Sequence, residues 1–199
     1  MNHPFLFFDL DGTLLDTLDD LRDSVNTVLS RHDLPPITKN EAAHFLGNGA
    51  KHLVHCALKG QVSAAEERGI LQEYKAWYQD HCRIKTAPYP GVMKMLRSLK
   101  EKGFRMAVVS NKPDPAVKEL NTHFFGDLLE TAIGEKEGIQ RKPAPDTLFE
   151  AMRLLGAEKE KCLYIGDTEV DLQTAGNAGM RCISVSWGFR SEEELLASG

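Results

Sequence analysis

Asp9 and Asp11 flank Leu10 directly after the apolar run Phe5-Leu6-Phe7-Phe8, and Asp167 follows a second apolar run, Cys162 to Ile165. Brought together, these carboxylates repel, and without compensation at least one must take up a proton. A divalent cation removes the conflict. A hard ion held by few carboxylates and several waters suits magnesium (Mg2+) better than calcium, which takes more protein oxygens. The predicted direct ligands are Asp9 and Asp167, with the backbone carbonyl of Asp11 as a third. Asp171 has two readings, holding the ion through a water or only bracing the loop.

The same residues can attack phosphorus. A carboxylate nucleophile splits one hard displacement into formation and hydrolysis of an acyl-phosphate. Asp9, at the end of the first run, has the place for that role. Two residues on in an extended chain, Asp11 points to the same side and can protonate the leaving oxygen, then deprotonate the attacking water. Gly12 lets the backbone pass close to the phosphoryl group, with Leu10 and Thr13 beside it. Ser110 offers a hydroxyl and Lys142 a compact positive charge to the transferring group, and the N–H groups of Leu10, Asp11 and Asn111 are candidates to complete the cradle.

These residues need a scaffold that gathers the ends of several strands. Short apolar runs at Phe5 to Phe8, Arg105 to Val109, Thr131 to Ile133, Cys162 to Ile165 and Arg181 to Val185 are each nearly unbroken, as in strands buried on both faces. Helical patterns follow most of them, over Pro90 to Lys102, Asp114 to Phe125, Pro145 to Leu155 and Glu169 to Ala178, with Gly103 and Gly156 where C-terminal caps belong. That alternation predicts an α/β fold with a parallel sheet, whose site lies at the carboxyl ends of the strands.

Residues 16–87 break the rhythm. Leu18, Leu21, Val25, Val28 and Leu29 recur at helical steps, and Ser63 with Glu66 has the form of a capping box. This segment is predicted to be an inserted helical cap, with the core made of residues 1–15 and 88–199. Its hinges fall at Leu15 to Thr17 and at Ala87 to Gly91.

Composition narrows the partners. The 199 residues carry a net charge of −5 and no basic stripe, which argues against nucleic acid or an anionic membrane and for a small phosphorylated metabolite. No apolar run approaches a membrane span, and Met1-Asn2-His3-Pro4 lacks the basic start of a signal peptide, so a cytoplasmic protein is expected. Cys56, Cys82, Cys162 and Cys182 contain no C-x-x-C pair and read as reduced, mostly buried thiols. A monomer or weak homodimer is expected.

The order D-x-D-G-T, a Ser after a strand, Lys-Pro, and G-D-x-x-x-D resembles the four motifs of haloacid dehalogenase-like phosphatases, and the match spans nearly the whole chain. The resemblance implies a Rossmann-like core with a helical cap inserted just after the first motif. The stretches Phe45-Leu46-Gly47-Asn48-Gly49-Ala50-Lys51 and Trp187-Gly188-Phe189, with the Arg190 to Leu196 ending, are similar to phosphoglycolate phosphatases. Such relatives usually continue with another short strand and helix, so the end at Gly199 departs from their pattern.

Simpler roles compete for several residues. Asp19, Asp20 and Asp23 read as a solvated face at the start of a helix. Asp16 reads as a hinge or cap residue. His52 and His55 read as a wet helix face, because no third ligand is near and H-E-x-x-H is absent. Tyr74, Trp77 and Tyr78 read as cap core. Gly47-Asn48-Gly49 is a turn between cap helices, or a loop over the site in which Asn48 and Lys51 meet the non-phosphate end of a substrate. A phosphomutase of the β-phosphoglucomutase type, a broad-specificity sugar or nucleotide phosphatase and a silent binding protein are the alternatives to a phosphoglycolate phosphatase. Thr13 favours hydrolysis over the mutase, relatives of which often carry Val there, and a dehalogenase would give Asp11 no leaving oxygen to protonate.

Overall fold

The computed structural model describes residues 4–199. The signal-peptide reading rested in part on Met1 to His3, which lie outside the described residues. In chain order the first half runs β1 (Phe5–Phe8), β2 (Leu15–Asp16), α1 (Leu18–Arg31), α2 (Lys39–Phe45), α3 (Gly49–Leu58), α4 (Ala64–His81) and β3 (Ala87–Pro88). The second half runs α5 (Val92–Glu101), β4 (Arg105–Pro113), α6 (Asp114–Leu120), β5 (Thr131–Glu135), α7 (Asp146–Leu155), β6 (Cys162–Gly166), α8 (Glu169–Asn177), β7 (Arg181–Ser184) and α9 (Glu192–Ala197).

Five strands form a parallel sheet in the order β5-β4-β1-β6-β7. β1 lies at its centre, with Phe5 opposite both Arg105 and Cys162. Successive side chains of a strand point to opposite faces, and the packing of β1 follows that period. Leu6 and Phe8 join the core that holds α5, α6 and the helical insert, whereas Phe7 packs with Leu148, Ala151 and Leu155 of α7 and Ala175 of α8. Long burial on both faces explains the unbroken apolar runs.

Two-stranded pairing joins the insert to the sheet. β2 and β3 are antiparallel, with Leu15 opposite Pro88 and Asp16 opposite Ala87, where the chain enters and leaves the helical stretch. Between them α1–α4 bury Leu21, Val25, Leu29, Leu53, Ile70 and Tyr74. Reciprocal capping boxes start α2 (Thr38 with Glu41) and α4 (Ser63 with Glu66).

Four sequence readings need correction. Asp20 is not on a solvated face; it is buried, and its carboxylate accepts from the backbone N–H groups of Lys85 and Thr86, clamping the exit of the insert. Buried N–H groups need such partners, and a periodicity argument cannot supply them. β4 runs four residues past Val109, because Pro113 pairs with Glu135 after a register shift. α6 stops at Leu120 and the chain continues as a π-helical turn, Asn121–Phe125. β7 is an edge strand and is largely exposed, with Ile183 at 49 %. Among the described residues no helix is long and apolar enough to cross a membrane. All four cysteines are free, Cys82 and Cys162 buried and Cys56 and Cys182 half-buried.

Candidate active site

The carboxyl ends of β1, β4 and β6 meet at one rim. The β-ladder carries through Asp9, whose N–H donates to the carbonyl of Ile165 at 2.8 Å. Asp9, Asp167 and Asp171 each bring one carboxylate oxygen within 4.8 Å of the others, and all three are buried. Lys142 reaches into this group from the loop before α7. Its Nζ lies 3.0 Å from Asp9 and 2.7 Å from Asp171, and it donates to the Tyr164 hydroxyl at 3.0 Å.

Asp171 is held firmly. Its Oδ2 accepts from the N–H groups of Asp167 and Thr168 and from the Thr168 hydroxyl, and its Oδ1 accepts from Lys142 and Tyr164. Asp167 is different. It accepts from the Thr13 hydroxyl at 2.7 Å and the Phe189 N–H at 2.9 Å, and among the described residues no side-chain cation pairs with it.

Three buried carboxylates therefore face one ammonium. Burial pushes the Asp9 carboxyl up to about 7, aided by the charges of Asp171 and Asp11 and opposed by Lys142. Burial, then the charges of Asp171 and Asp9, raise Asp167 well above the carboxylate range. Burial alone would lower the Lys142 ammonium, but Asp171 and Asp9 outweigh it and hold the charge in place. Excess buried negative charge of this kind suits a divalent cation, and oxygen donors suit a hard one.

Asp167 is also hemmed in by backbone. A Cβ added at Gly12, whose φ is +84°, would collide with the Asp167 carboxylate, and one added at Gly188 would collide with its Cβ. Only glycine permits that approach at both positions.

Beside this cluster lies a cavity of about 40 Å³ between core and insert. Asp9, Asp11, Ser110 and Lys112 line it from the core, and Tyr74 and Tyr78 of α4 line it from the insert. Lys112 is almost wholly buried and donates to both carboxylate oxygens of Asp11, at 2.7 and 2.9 Å. Its Nζ sits 4.6 Å from the centroid of the Tyr78 ring, within cation–π range.

Three core side chains grip backbone carbonyls of the insert. Asn111 donates to Gly47 and also to Lys142, Arg141 donates to Asn48, and Arg190 donates to Ala43 and Leu46 while paired with Glu169. Gly47, Gly49 and Ala50 reach the cavity wall, but neither Asn48 nor the exposed Lys51 does. Leu10 donates its N–H to Asp9 Oδ1 at 2.7 Å, and Thr13 directs its hydroxyl to Asp167 rather than into the cavity.

The sequence reading missed Lys112, Tyr78 and Arg190. Lys112 follows the apolar run Arg105 to Val109 with no partner in sequence to mark it, and in the structure it lies within β4. Tyr78 had helical spacing and passed for plain core. Among the described residues His52 and His55 do not meet a third ligand: His52 contacts Cys56, and His55 contacts Glu67.

The haloacid dehalogenase-like hydrolase family pattern matches residues 6–185. The chain therefore belongs to the haloacid dehalogenase-like hydrolases. A phosphoglycolate phosphatase from Rhodobacter capsulatus is 36% identical over 94% of this chain and 86% of its own length. Another, from Colwellia psychrerythraea, is 33% identical over 98% of this chain and 89% of its own length. The crystal structure of a candidate phosphoglycolate phosphatase from Lactobacillus delbrueckii subsp. bulgaricus superposes with a TM-score of 0.93 at 38% identity, covering 100% of this chain and 92% of that one. Within the family this chain is a phosphoric monoester hydrolase similar to the phosphoglycolate phosphatases.

Proposed function

We propose that the chain hydrolyses a small phosphomonoester, with phosphoglycolate favoured, through an aspartyl-phosphate on Asp9 and with magnesium bound. The observation that carries this reading is the buried Asp9–Lys142–Asp171 network beside Asp167, with which no side-chain cation pairs among the described residues. Asp9 and Asp167, with the carbonyl of Asp11, would hold the ion, which when bound neutralises charge on the phosphoryl oxygens. Asp171 braces the loop and keeps Lys142 charged.

Asp9 attacks phosphorus as the bond to the leaving oxygen breaks, and Asp11 supplies that oxygen with a proton. Asp11 then takes a proton from water as the water attacks the acyl-phosphate, so phosphate leaves and the Asp9 carboxylate is regenerated. Lys142 and the Ser110 hydroxyl stabilise charge on the transferring group. The helical insert covers the site and excludes water, as lids commonly do. The named activities of the relatives support phosphoglycolate as the substrate.

Release of free phosphate from a panel of phosphorylated metabolites with magnesium present tests the reading. Asp9→Asn should fold normally and lose turnover by more than about a hundredfold. Retained turnover above that level overturns catalysis through Asp9. Dependence on a bisphosphate primer, with little phosphate release, would point instead to a mutase.

A further inference from the structure

Two side chains around Asp11, Lys112 and Tyr78, take no part in phosphoryl transfer itself. Lys112, whose side chain is 2% exposed, directs its full charge to Asp11, a residue that must be free to move a proton during turnover. Tyr78 is 2% exposed and lines the same cavity, yet its hydroxyl has no hydrogen-bond partner among the described residues. Buried hydroxyls are rarely left unpaired, and such a group beside a site calls for a ligand atom. The charge of Asp11 adds to burial in raising the Tyr78 hydroxyl, which sets that hydroxyl in the field of Asp11.

We propose that Lys112 and Tyr78 form the subsite for an anionic leaving group, binding the carboxylate of a phosphate ester of a small hydroxycarboxylic acid. This rests on the reading of Asp9 and Asp11 given above. Lys112 belongs to the core strand β4 and Tyr78 to helix α4 of the insert, so the subsite is complete only when the two halves are together.

Charge and size both support the assignment. A buried ammonium needs an anion at all times. A substrate carboxylate that takes the place of Asp11 at Lys112 keeps the ammonium paired and frees Asp11 to turn to the leaving oxygen. A neutral leaving group would force Lys112 to choose between staying on Asp11 and standing unpaired. The cavity of about 40 Å³ is small, which favours a compact leaving group over a sugar unless the insert opens. Among the described residues Lys112 is the cation that lines this cavity, whereas Arg141 and Arg190 hold backbone carbonyls and Lys51 is exposed.

The experiment compares kcat/KM for phosphoglycolate, its neutral carboxamide and an aryl phosphate in wild type, Tyr78→Phe and Lys112→Met, at saturating magnesium. Wild type should prefer the carboxylate to the carboxamide. Tyr78→Phe, which changes no volume of consequence, should cut that preference roughly tenfold and Lys112→Met roughly a hundredfold, the range for hydrogen bonds to a charged group. A preference that stays within about twofold of wild type in both variants overturns the subsite, by the logic of a double-mutant cycle. Wild type that cleaves the aryl phosphate but does not distinguish carboxylate from carboxamide also overturns it, and leaves the phosphatase reading standing. Wild type that cleaves none of the three overturns both.

Discussion

Lys142→Met removes one charge from the buried network and changes little volume, so its consequence can be worked from contacts. The ammonium is 1% exposed and is shared by Asp9 at 3.0 Å and Asp171 at 2.7 Å. Asp9, already pushed up to about 7, relieves its loss by taking up a proton. Asp171 has no such release, because the N–H groups of Asp167 and Thr168 and the Thr168 hydroxyl all donate to it as a carboxylate. Breaking a buried pair from one side costs about 3–5 kcal/mol, and that is the expected loss of unfolding free energy for Lys142→Met. The partner substitution Asp171→Asn offers a way back. Its amide oxygen can keep the three donors on the Oδ2 side, and its NH2 can donate to the Tyr164 hydroxyl, which now faces Lys142 and Asp171. The double variant should therefore be more stable than Lys142→Met alone by about 1–3 kcal/mol, although a second native residue has been lost. Urea denaturation at pH 7 in chelator measures both values. A single-variant loss below about 1 kcal/mol, or a double variant less stable than the single, would refute the account of Lys142 as the charge that holds this site together.

Gly12→Ala places a methyl against the Asp167 carboxylate at a positive φ, and should lower magnesium affinity by roughly 10- to 100-fold in titration calorimetry; unchanged affinity counts against Asp167 as a ligand. Because the folded pKa of Asp9 is raised from 3.8 to about 7, the metal-free folded state holds a proton that the unfolded chain releases, so its stability falls as pH climbs through that window. Thermal melts in chelator should drop from pH 5.5 to 8, magnesium should recover more at pH 8, and Asp9→Asn should weaken the trend, the raised Asp167 sustaining the remainder; a flat or rising wild-type profile contradicts it. Arg190→Ala frees the carbonyls of Ala43 and Leu46 and should speed hydrogen exchange across residues 42–50 while costing about 1–3 kcal/mol of stability. Unchanged protection there would show that Arg190 does not hold the insert down.

Much of this protein can be read along its sequence because the signals are local. Unbroken apolar runs mark β1, β4, β5 and β6, since strands buried on both faces need no polar side, and polar segments at their ends mark the rim. Ser63 with Glu66 announces the start of α4, because a capping box is closed within three residues. Asp9, Asp11, Ser110, Lys142 and Asp167 stand out as candidates by residue type and by their places after the apolar runs. What tertiary structure decided is which charges meet. Asp20 and Asp23 look alike in sequence, yet one is buried under Lys85 and Thr86, 65 and 66 residues away, and the other pairs at the surface. Lys112 finds Asp11 across 101 residues, and Tyr78 comes to that cavity from the insert. Lys51, for which the sequence leaves both a turn and a place over the site open, lies exposed on α3. A periodic pattern tells which face of an element is buried, but the partner of a polar group depends on packing between distant segments, and only the folded chain brings those together.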